Sequence, residues 1–446
     1  MDEAAWVRLP RFLRLPRIRS RWSNSVRDWR DGTSVHGRVR LSSSSAALLA
    51  AAALPMEPKA LGKGRNQWFE GWFLRLVDHE TDSSAAVIFG SMRRRANGTA
   101  MAATPFDEHI LVVAHRNATG AEVTRSLLLE GHAVTLRGGG TGEDAPYISW
   151  WSDQHGGMQI DRTGVMLELY LPGSLRMHAN ISRVRVPWNP RRPNHDGPEG
   201  WLAPTGLLPC HYFVHSFGSP ATYTWTAGGG EPASRSTALV HIERNYGEAF
   251  PTGWVWAQAA AAGGAAYLIL TGGLFAIGPL TVKTYILGLR LPRPMVAEDT
   301  CREALERIDA EDTGDHSDAD DVLASDGLQW DFRTTDLDTV HDVRRPCEGS
   351  LLVNATSRNG RRRLEVRIAA PPHTFGAPIM VPTNDGRFSD RPGCRESYAA
   401  VAHITAWSRP AQSLGQRRKN GEWRVLVKVR IPLAALEFGG IWQFPC

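Results

Sequence analysis

A short polar cluster ahead of two tryptophans holds the side chains of this sequence best suited to acid–base chemistry. An apolar run leads into it, and the turn-forming residues Gly247, Pro251 and Gly253 follow it. Acid, amide and guanidinium groups beside apolar rings suggest a polar site in an apolar wall. A buried ion pair beside a turn would explain the same residues. The cluster consists of His241, Glu243, Arg244 and Asn245, and the indoles are those of Trp254 and Trp256.

A second carboxyl group stands among aromatic residues near the start of the patterned part of the chain. Residues 68–76 read Trp-Phe-Glu-Gly-Trp-Phe-Leu-Arg-Leu, which is typical of one β-strand. Because successive side chains of a strand point to opposite sides, Glu70 would share a face with Trp68, Trp72 and Leu74. Burial in such surroundings raises the pKa of a carboxylic acid and keeps it protonated near neutral pH.

Glu70 and Glu243 are therefore the candidate proton donors. The alternative for each is a structural salt bridge, for instance Glu70 with Arg75 or Glu243 with Arg244. The sequence contains no phosphate-binding glycine loop, nucleophile elbow or zinc-binding helix. We accordingly expect neither a metal nor a redox cofactor.

The composition favours an all-β protein. The 446 residues include 16 Trp, 28 Pro and 43 Gly, and 42% of the chain is hydrophobic against 22% charged. This balance is typical of a soluble globular chain with many turns. Short apolar runs separated by turn residues predict the strands of a barrel or sandwich. The runs after the first strand are Ala85–Gly90, His109–Ala114, Ser126–Glu130, Val165–Tyr170 and Ser182–Pro187.

Residues 254–282 contain no charged side chain and are long enough for a transmembrane helix. Glycine pairs and a Gly-Pro step divide the stretch, however, into strand-sized pieces. We predict three buried strands, at Trp254–Gln258, Ala265–Thr271 and Thr281–Leu289.

The N-terminal segment has a composition of its own. Residues 1–60 hold ten Arg and one Lys against five acidic residues, with a serine block and an alanine-rich stretch. Such a segment is typical of an organelle transit peptide, with a misassigned start codon or a disordered arm as the alternative. The rest of the chain has 40 basic and 41 acidic residues, so we expect no nucleic-acid partner.

A glycine-rich break at residues 227–230 suggests two β-barrel halves. We predict a presequence at 1–60, an N-terminal half at 61–230 and a C-terminal half at 231–446. An acidic stretch at 302–327 would be a disordered insertion in the second half. The five cysteines are scattered and form no Cys-x-x-Cys pair, which predicts reduced thiols.

Several of these segments resemble tocopherol cyclases, in the same order along the chain. Residues 67–75 are similar to the Phe-Glu-Gly-Trp-Tyr-Phe segment near the start of that family. Residues 243–258 are similar to its Glu-Lys-Asn-Trp-Gly…Phe-Pro…Trp-x-Trp-x-Gln signature. The shorter segments that also look like family segments are Gly200–Leu202, Leu208–Pro209, Cys394–Ser397 and Ala435–Gly440.

The resemblance implies two lipocalin-like halves and a plastid enzyme that closes the chromanol ring of vitamin E. A prenyl double bond would be protonated, the cation sheltered by indoles, and the ring closed by attack of the quinol hydroxyl. Arg244 and Tyr246 stand where the family usually has Lys and Trp. The catalytic candidates are Glu70, Glu243, His241 and Asn245, and the substrate-binding candidates are Trp68, Trp72, Trp254, Trp256, Arg244 and Tyr246.

Two other functions fit the same residues. One is a non-catalytic, lipocalin-like carrier of an apolar lipid or pigment, and the other is a carotenoid hydratase-like enzyme. For the cyclase we expect a prenylated hydroquinone as substrate and a location in the chloroplast. Peripheral association with a membrane or a lipid droplet would suit such a substrate.

Overall fold

The computed structural model describes most of residues 67–443. Its longest internal gaps are 95–105, 292–326 and 410–421. The described residues all belong to one compact unit, Ala47–Cys446. The predicted presequence and nearly all of the predicted acidic insertion lie outside the described residues.

Two large antiparallel sheets make up this unit, and the prediction of an all-β, lipocalin-like fold is confirmed. The first sheet has eleven strands in the order β4-β3-β2-β1-β11-β10-β9-β8-β7-β6-β5. Its strands are β1 Trp68–Asp78, β2 Ser83–Arg93, β3 Glu108–Arg116, β4 Glu122–Glu130, β5 Thr135–Gly138, β6 Ile148–Ser152, β7 Gly156–Ile160, β8 Gly164–Leu171, β9 Leu175–Ser182, β10 Cys210–Ala227 and β11 Ser236–Gly247.

The second sheet has nine strands in the order β15-β14-β13-β12-β20-β19-β18-β17-β16. Its strands are β12 Gly253–Ala260, β13 Tyr267–Ile277, β14 Leu280–Leu291, β15 Leu328–Arg333, β16 Thr339–Arg345, β17 Ser350–Thr356, β18 Arg362–Ala369, β19 Cys394–Ser408 and β20 Arg424–Gly440. The helices among the described residues are short 3-10 turns at Gly131–Ala133, Gly200–Thr205, Ala262–Gly264, Thr334–Asp336, Pro346–Glu348, Pro372–Thr374 and Ile441–Gln443.

The uncharged stretch forms β12, β13 and the start of β14, so the prediction of three strands is confirmed there. Within the described part of the chain, no helix is long and apolar enough to cross a membrane. The strand predicted at Ser182–Pro187 is wrong for the described residues after Ser182, because β9 ends there, and residues 184 and 185 lie outside the described residues. The chain changes sheets between Gly247 and Gly253, beyond the glycine-rich break that suggested the boundary.

The cysteine prediction holds in part. Cys210 and Cys394 are free and buried. Cys347 is disulfide-bonded, so the prediction of reduced thiols is wrong for this residue.

In each sheet, the strand that comes first along the chain pairs with the strand that comes last. β1 pairs with β11 in the first sheet, and β12 pairs with β20 in the second. Hydrogen bonds therefore join the middle of each sheet across long sequence separations. This pairing places both family-like segments, on β1 and β11, side by side.

Successive side chains of a strand point to opposite faces of its sheet, so one set packs into the core of its own sheet and the other set contacts the second sheet. Trp72 and Leu74 on β1 pack into the core of the first sheet, and Val255 and Ala257 on β12 pack into the core of the second. Residues in the intervening positions, such as Phe73, meet the other sheet. A strand with both faces covered excludes water from both, so polar groups between the sheets have to be satisfied by each other.

Candidate active site between the two sheets

A cavity of about 200 Å³ lies between the central strands of the two sheets. Aromatic side chains of both sheets line it, and the rings of Phe73 and Trp256 meet edge-on with centroids 5.0 Å apart. Five buried or nearly buried glutamates also line it, and three of them lie on strand faces that point into the space between the sheets. These are Glu243, Glu396 and Glu437.

The predicted polar cluster on β11 is divided between the two faces of its strand. His241, Glu243 and Asn245 point toward the second sheet, and Glu243 and Asn245 line the cavity. Arg244 and Tyr246 point the other way, into the first sheet. This division follows from strand alternation, which the adjacent positions in the sequence conceal.

Glu70 forms an ion pair with Arg244 inside the first sheet, and both side chains are fully buried. The Arg244 guanidinium also lies over the rings of Trp72 and Tyr246, 5.3 and 4.8 Å from their centroids. The predicted shared face of Trp68, Glu70 and Trp72 is thus present. Glu70 and Trp72 border the cavity at β1, but a carboxylate held by arginine is a poor proton donor. The structural salt bridge foreseen for Glu70 exists, with Arg244 in place of Arg75.

Glu243 receives three contacts on one oxygen. Tyr212 donates its hydroxyl proton to Oε2 over 2.6 Å, the Trp256 indole N–H donates over 3.1 Å, and His241 Nε2 lies 2.7 Å away. Burial, followed by the charge of Glu243, raises the pKa of Tyr212 well above 10, so the phenol stays a donor. These contacts hold the Glu243 side chain in place between the sheets. The foreseen pair of Glu243 with Arg244 is not formed, since the two side chains point to opposite faces.

Tyr212 is held in turn by a carboxyl group from the long loop before β10. Glu199 accepts the Tyr212 backbone N–H over 2.6 Å and lies 2.9 Å from His211 Nδ1. Glu199 also lines the cavity. The hydrogen bond from the backbone of Tyr212 to Glu199 thereby holds β10 in the position from which Tyr212 donates to Glu243.

Glu396 and Glu437 form a pair of carboxyl groups in the second sheet. They are directly opposite on β19 and β20, on the face toward the cavity. The Tyr398 hydroxyl donates to Glu396, and the Trp254 indole donates to Glu437. Gly439 permits the second contact, because a Cβ there would lie 1.9 Å from the Trp254 ring.

Burial raises the pKa of Glu396 well above its ordinary value of 4.5, and the neighbouring charge of Glu437 raises it further. Burial also raises the pKa of Glu437. Two carboxyl groups this close cannot both ionise cheaply, so the pair holds a proton that an exposed carboxyl would have lost. We call Glu396 and Glu437 the acid pair.

The comparison with known proteins bears on this arrangement. Residues 66–278 match the tocopherol cyclase-like family. The resemblance predicted from the sequence is thereby confirmed over this part of the chain, which is just under half of it. The match includes the whole first sheet, whereas Glu396 and Glu437 lie beyond it. No curated protein matches this chain.

Solved structures with a similar course of the chain include two named proteins. The crystal structure of CghA with Sch210972 has 12% sequence identity and a TM-score of 0.46, covering 85% of this chain and 90% of that one. Kievitone hydratase from Nectria haematococca has 7% identity and a TM-score of 0.43, covering 87% of this chain and 92% of that one.

The catalytic and substrate-binding roles of the candidate residues stay predictions. The structure shows which groups surround these residues. Trp254 and Trp256 lie between the sheets as donors to Glu437 and Glu243. Glu396 and Glu437 were not among the catalytic candidates predicted from the sequence. The signal was present, because both stand in the late segments, Cys394–Ser397 and Ala435–Gly440, that resemble the cyclases.

Proposed function

We propose that this chain closes the chromanol ring of a prenylated (phytyl) hydroquinone, in the vitamin E pathway of plastids. The observation that carries the proposal is the acid pair, which faces a carboxylate with converging donors across an aromatic cavity. Acid and acceptor are thus supplied by different sheets. Their surroundings differ, because the acid pair consists of two opposed carboxyl groups, whereas Glu243 accepts hydrogen bonds from Tyr212 and Trp256.

The reaction begins with proton transfer from the acid pair to the prenyl double bond. The O–H bond of the carboxyl breaks, the π electrons form a new C–H bond, and a tertiary cation remains. The faces of Trp254 and Trp256 stabilise that cation, and the buried walls exclude water that would capture it.

Ring closure follows by attack of the quinol oxygen on the cationic carbon. A C–O bond forms, and the phenolic proton passes to Glu243, with Asn245 beside it to orient the hydroxyl group. Returning this proton across the cavity restores the acid pair. Substrate and product are isomers, since one proton enters and one leaves without a change of oxidation state.

The direct test is an incubation of the full chain with methyl-phytyl-benzoquinol, followed by product analysis. We expect the chromanol, with a mass equal to that of the substrate. Tight binding of the quinol without any product would favour the carrier instead. A product heavier by one water would show that the same cation is captured by water, as in a hydratase.

The pH dependence provides a further prediction. We expect the rate to fall as pH rises through the raised pKa of the acid pair, because only the protonated pair can donate. The free energy of unfolding should also fall as pH rises above 4.5, since the folded chain keeps a proton that the unfolded chain has released. Profiles of kcat/KM and of the unfolding midpoint measure both effects. A rate that increases throughout this range would contradict the proposal.

A further inference from the structure

Arg75 on β1 is a buried cation that has no role in the proposed reaction as described so far. Its side chain is fully buried between the sheets, and its guanidinium donates to Gln258 Oε1 on β12 and to the Leu433 carbonyl on β20. Both acceptors are neutral, and Nε has no hydrogen-bond partner among the described residues. A buried charge is ordinarily paired with an opposite one. The burial of this charge without a directly bonded carboxylate therefore needs an explanation.

Arg75 interacts electrostatically with Tyr398 and Glu396, and these two residues connect it to the acid pair. The guanidinium lies 5.7 Å from the centroid of the Tyr398 ring. The Tyr398 hydroxyl in turn donates to Glu396. Burial lowers the pKa of Arg75 to about 10, against the opposing attraction of Tyr398 and Glu396. The guanidinium consequently stays charged at neutral pH.

The other titratable groups near the acid pair are carboxyl, phenol, thiol and imidazole groups, and the imidazole is that of His241, which contacts Glu243. Glu243 faces the acid pair from β11, with Tyr212 of β10 bonded behind it. Cys394 and Tyr398 approach it from β19, the strand of Glu396 itself. The carboxyl, phenol and thiol groups carry no positive charge, and negative neighbours make it harder for the pair to lose its proton. Arg75 supplies charge of the opposite sign.

We infer that Arg75 is a positioning residue for the proposed proton donor. Acting through the Tyr398 hydroxyl, its positive charge stabilises the carboxylate that forms when the Glu396–Glu437 pair gives its proton to the alkene. Arg75 and Tyr398 neither lose nor gain a proton in that step. The inference rests on the proposed function, because it assigns a task within the same reaction.

Three variants test the inference: Arg75→Met, Arg75→Lys and Tyr398→Phe. Loss of the charge or of the linking hydroxyl leaves the pair a weaker acid. In Arg75→Met and Tyr398→Phe we expect the alkaline limb of kcat/KM to move up by about one pH unit and the plateau rate to fall ~10-fold. Arg75→Lys keeps the charge and should keep the limb at its wild-type position. Arg367→Met, at an exposed arginine on β18, is the matched control.

A clamp that merely joins the two sheets would give a different pattern. Arg75→Met would then unfold more easily while its alkaline limb stayed in place, and that result would overturn the inference. If Arg75→Met does not fold, Tyr398→Phe decides by the same criterion, because it removes a single hydroxyl group.

Infrared titration separates this inference from the proposed function. The C=O stretch of the protonated pair, assigned with Glu396→Gln, can be followed against pH without substrate. An upward shift of that titration in Arg75→Met supports the inference even if the wild-type chain forms no chromanol, which would refute only the proposed function. An unshifted titration overturns the inference whatever the enzyme does.

Discussion

Replacing either member of the acid pair, by Glu396→Gln or Glu437→Gln, should slow chromanol formation by about 10²- to 10⁴-fold, the range of a general acid. Each substitution keeps the shape of the side chain and removes one of two opposed carboxyl groups. The remaining carboxyl stays buried but has lost the partner with which it shares the proton, so the pair no longer acts as the donor. The two residues act as a unit, and the double variant should lose little more than either single one. Single-turnover rates at neutral pH measure the effect.

These variants should remain folded. The native pair combines burial with repulsion between like groups, and an amide relieves the repulsion. We expect unfolding midpoints at neutral pH equal to that of the wild type or higher. Glu130→Gln, at an exposed glutamate on β4, is the control and should change neither rate nor stability. Wild-type rates in both acid-pair variants would rule out the assignment.

Breaking the buried ion pair should have its main effect on stability. Glu70→Gln leaves the Arg244 guanidinium buried without its carboxylate, which costs about 3–5 kcal/mol in free energy of unfolding. Removing both charges, by Glu70→Leu with Arg244→Leu, should restore most of that loss, because an apolar pair suits the core of the first sheet. Denaturant unfolding of the single and double variants gives the coupling directly.

The same variant separates the two sequence-based candidates for the acid. We expect folded Glu70→Gln to retain chromanol formation, whereas Glu243→Gln should lose it with little change in stability. Glu348→Gln breaks an exposed ion pair with Arg345 and should cost no more than ~1 kcal/mol. If Glu70→Gln folds with wild-type stability yet forms no product, the acid is Glu70 and the acid pair has another task.

The patterned segments made the strands and their faces predictable. Trp68, Glu70 and Trp72 share a face as expected, because the two-residue period of a strand is a local property. The uncharged stretch from residue 254 was recognisable as strands for a similar reason, since its glycines set the lengths of the pieces. Neither inference required knowledge of a distant residue.

The pairing of strands that are far apart in the sequence could not be predicted from these local patterns. Glu70 and Arg244 are 174 positions apart, and their ion pair depends on the contact of β1 with β11. Glu396 and Glu437 are opposed because β19 and β20 pair in one register, and a shift of one residue would turn one carboxyl to the other face. The sequence showed two carboxyl groups among aromatic residues and could not tell an ion pair from an acid.

The sequence by itself determined an all-β fold and a resemblance to the tocopherol cyclases, and it gave candidate catalytic residues near positions 241–258. Motifs and side-chain periods are written along the chain, so they can be read without the fold. Only the tertiary structure decided that Glu243 faces the second sheet, that Glu70 is neutralised within the first, and that an acid pair lies opposite. The reason is physical: the protonation of a carboxyl group depends on burial and on the charges within a few ångströms, and folding alone brings those charges together.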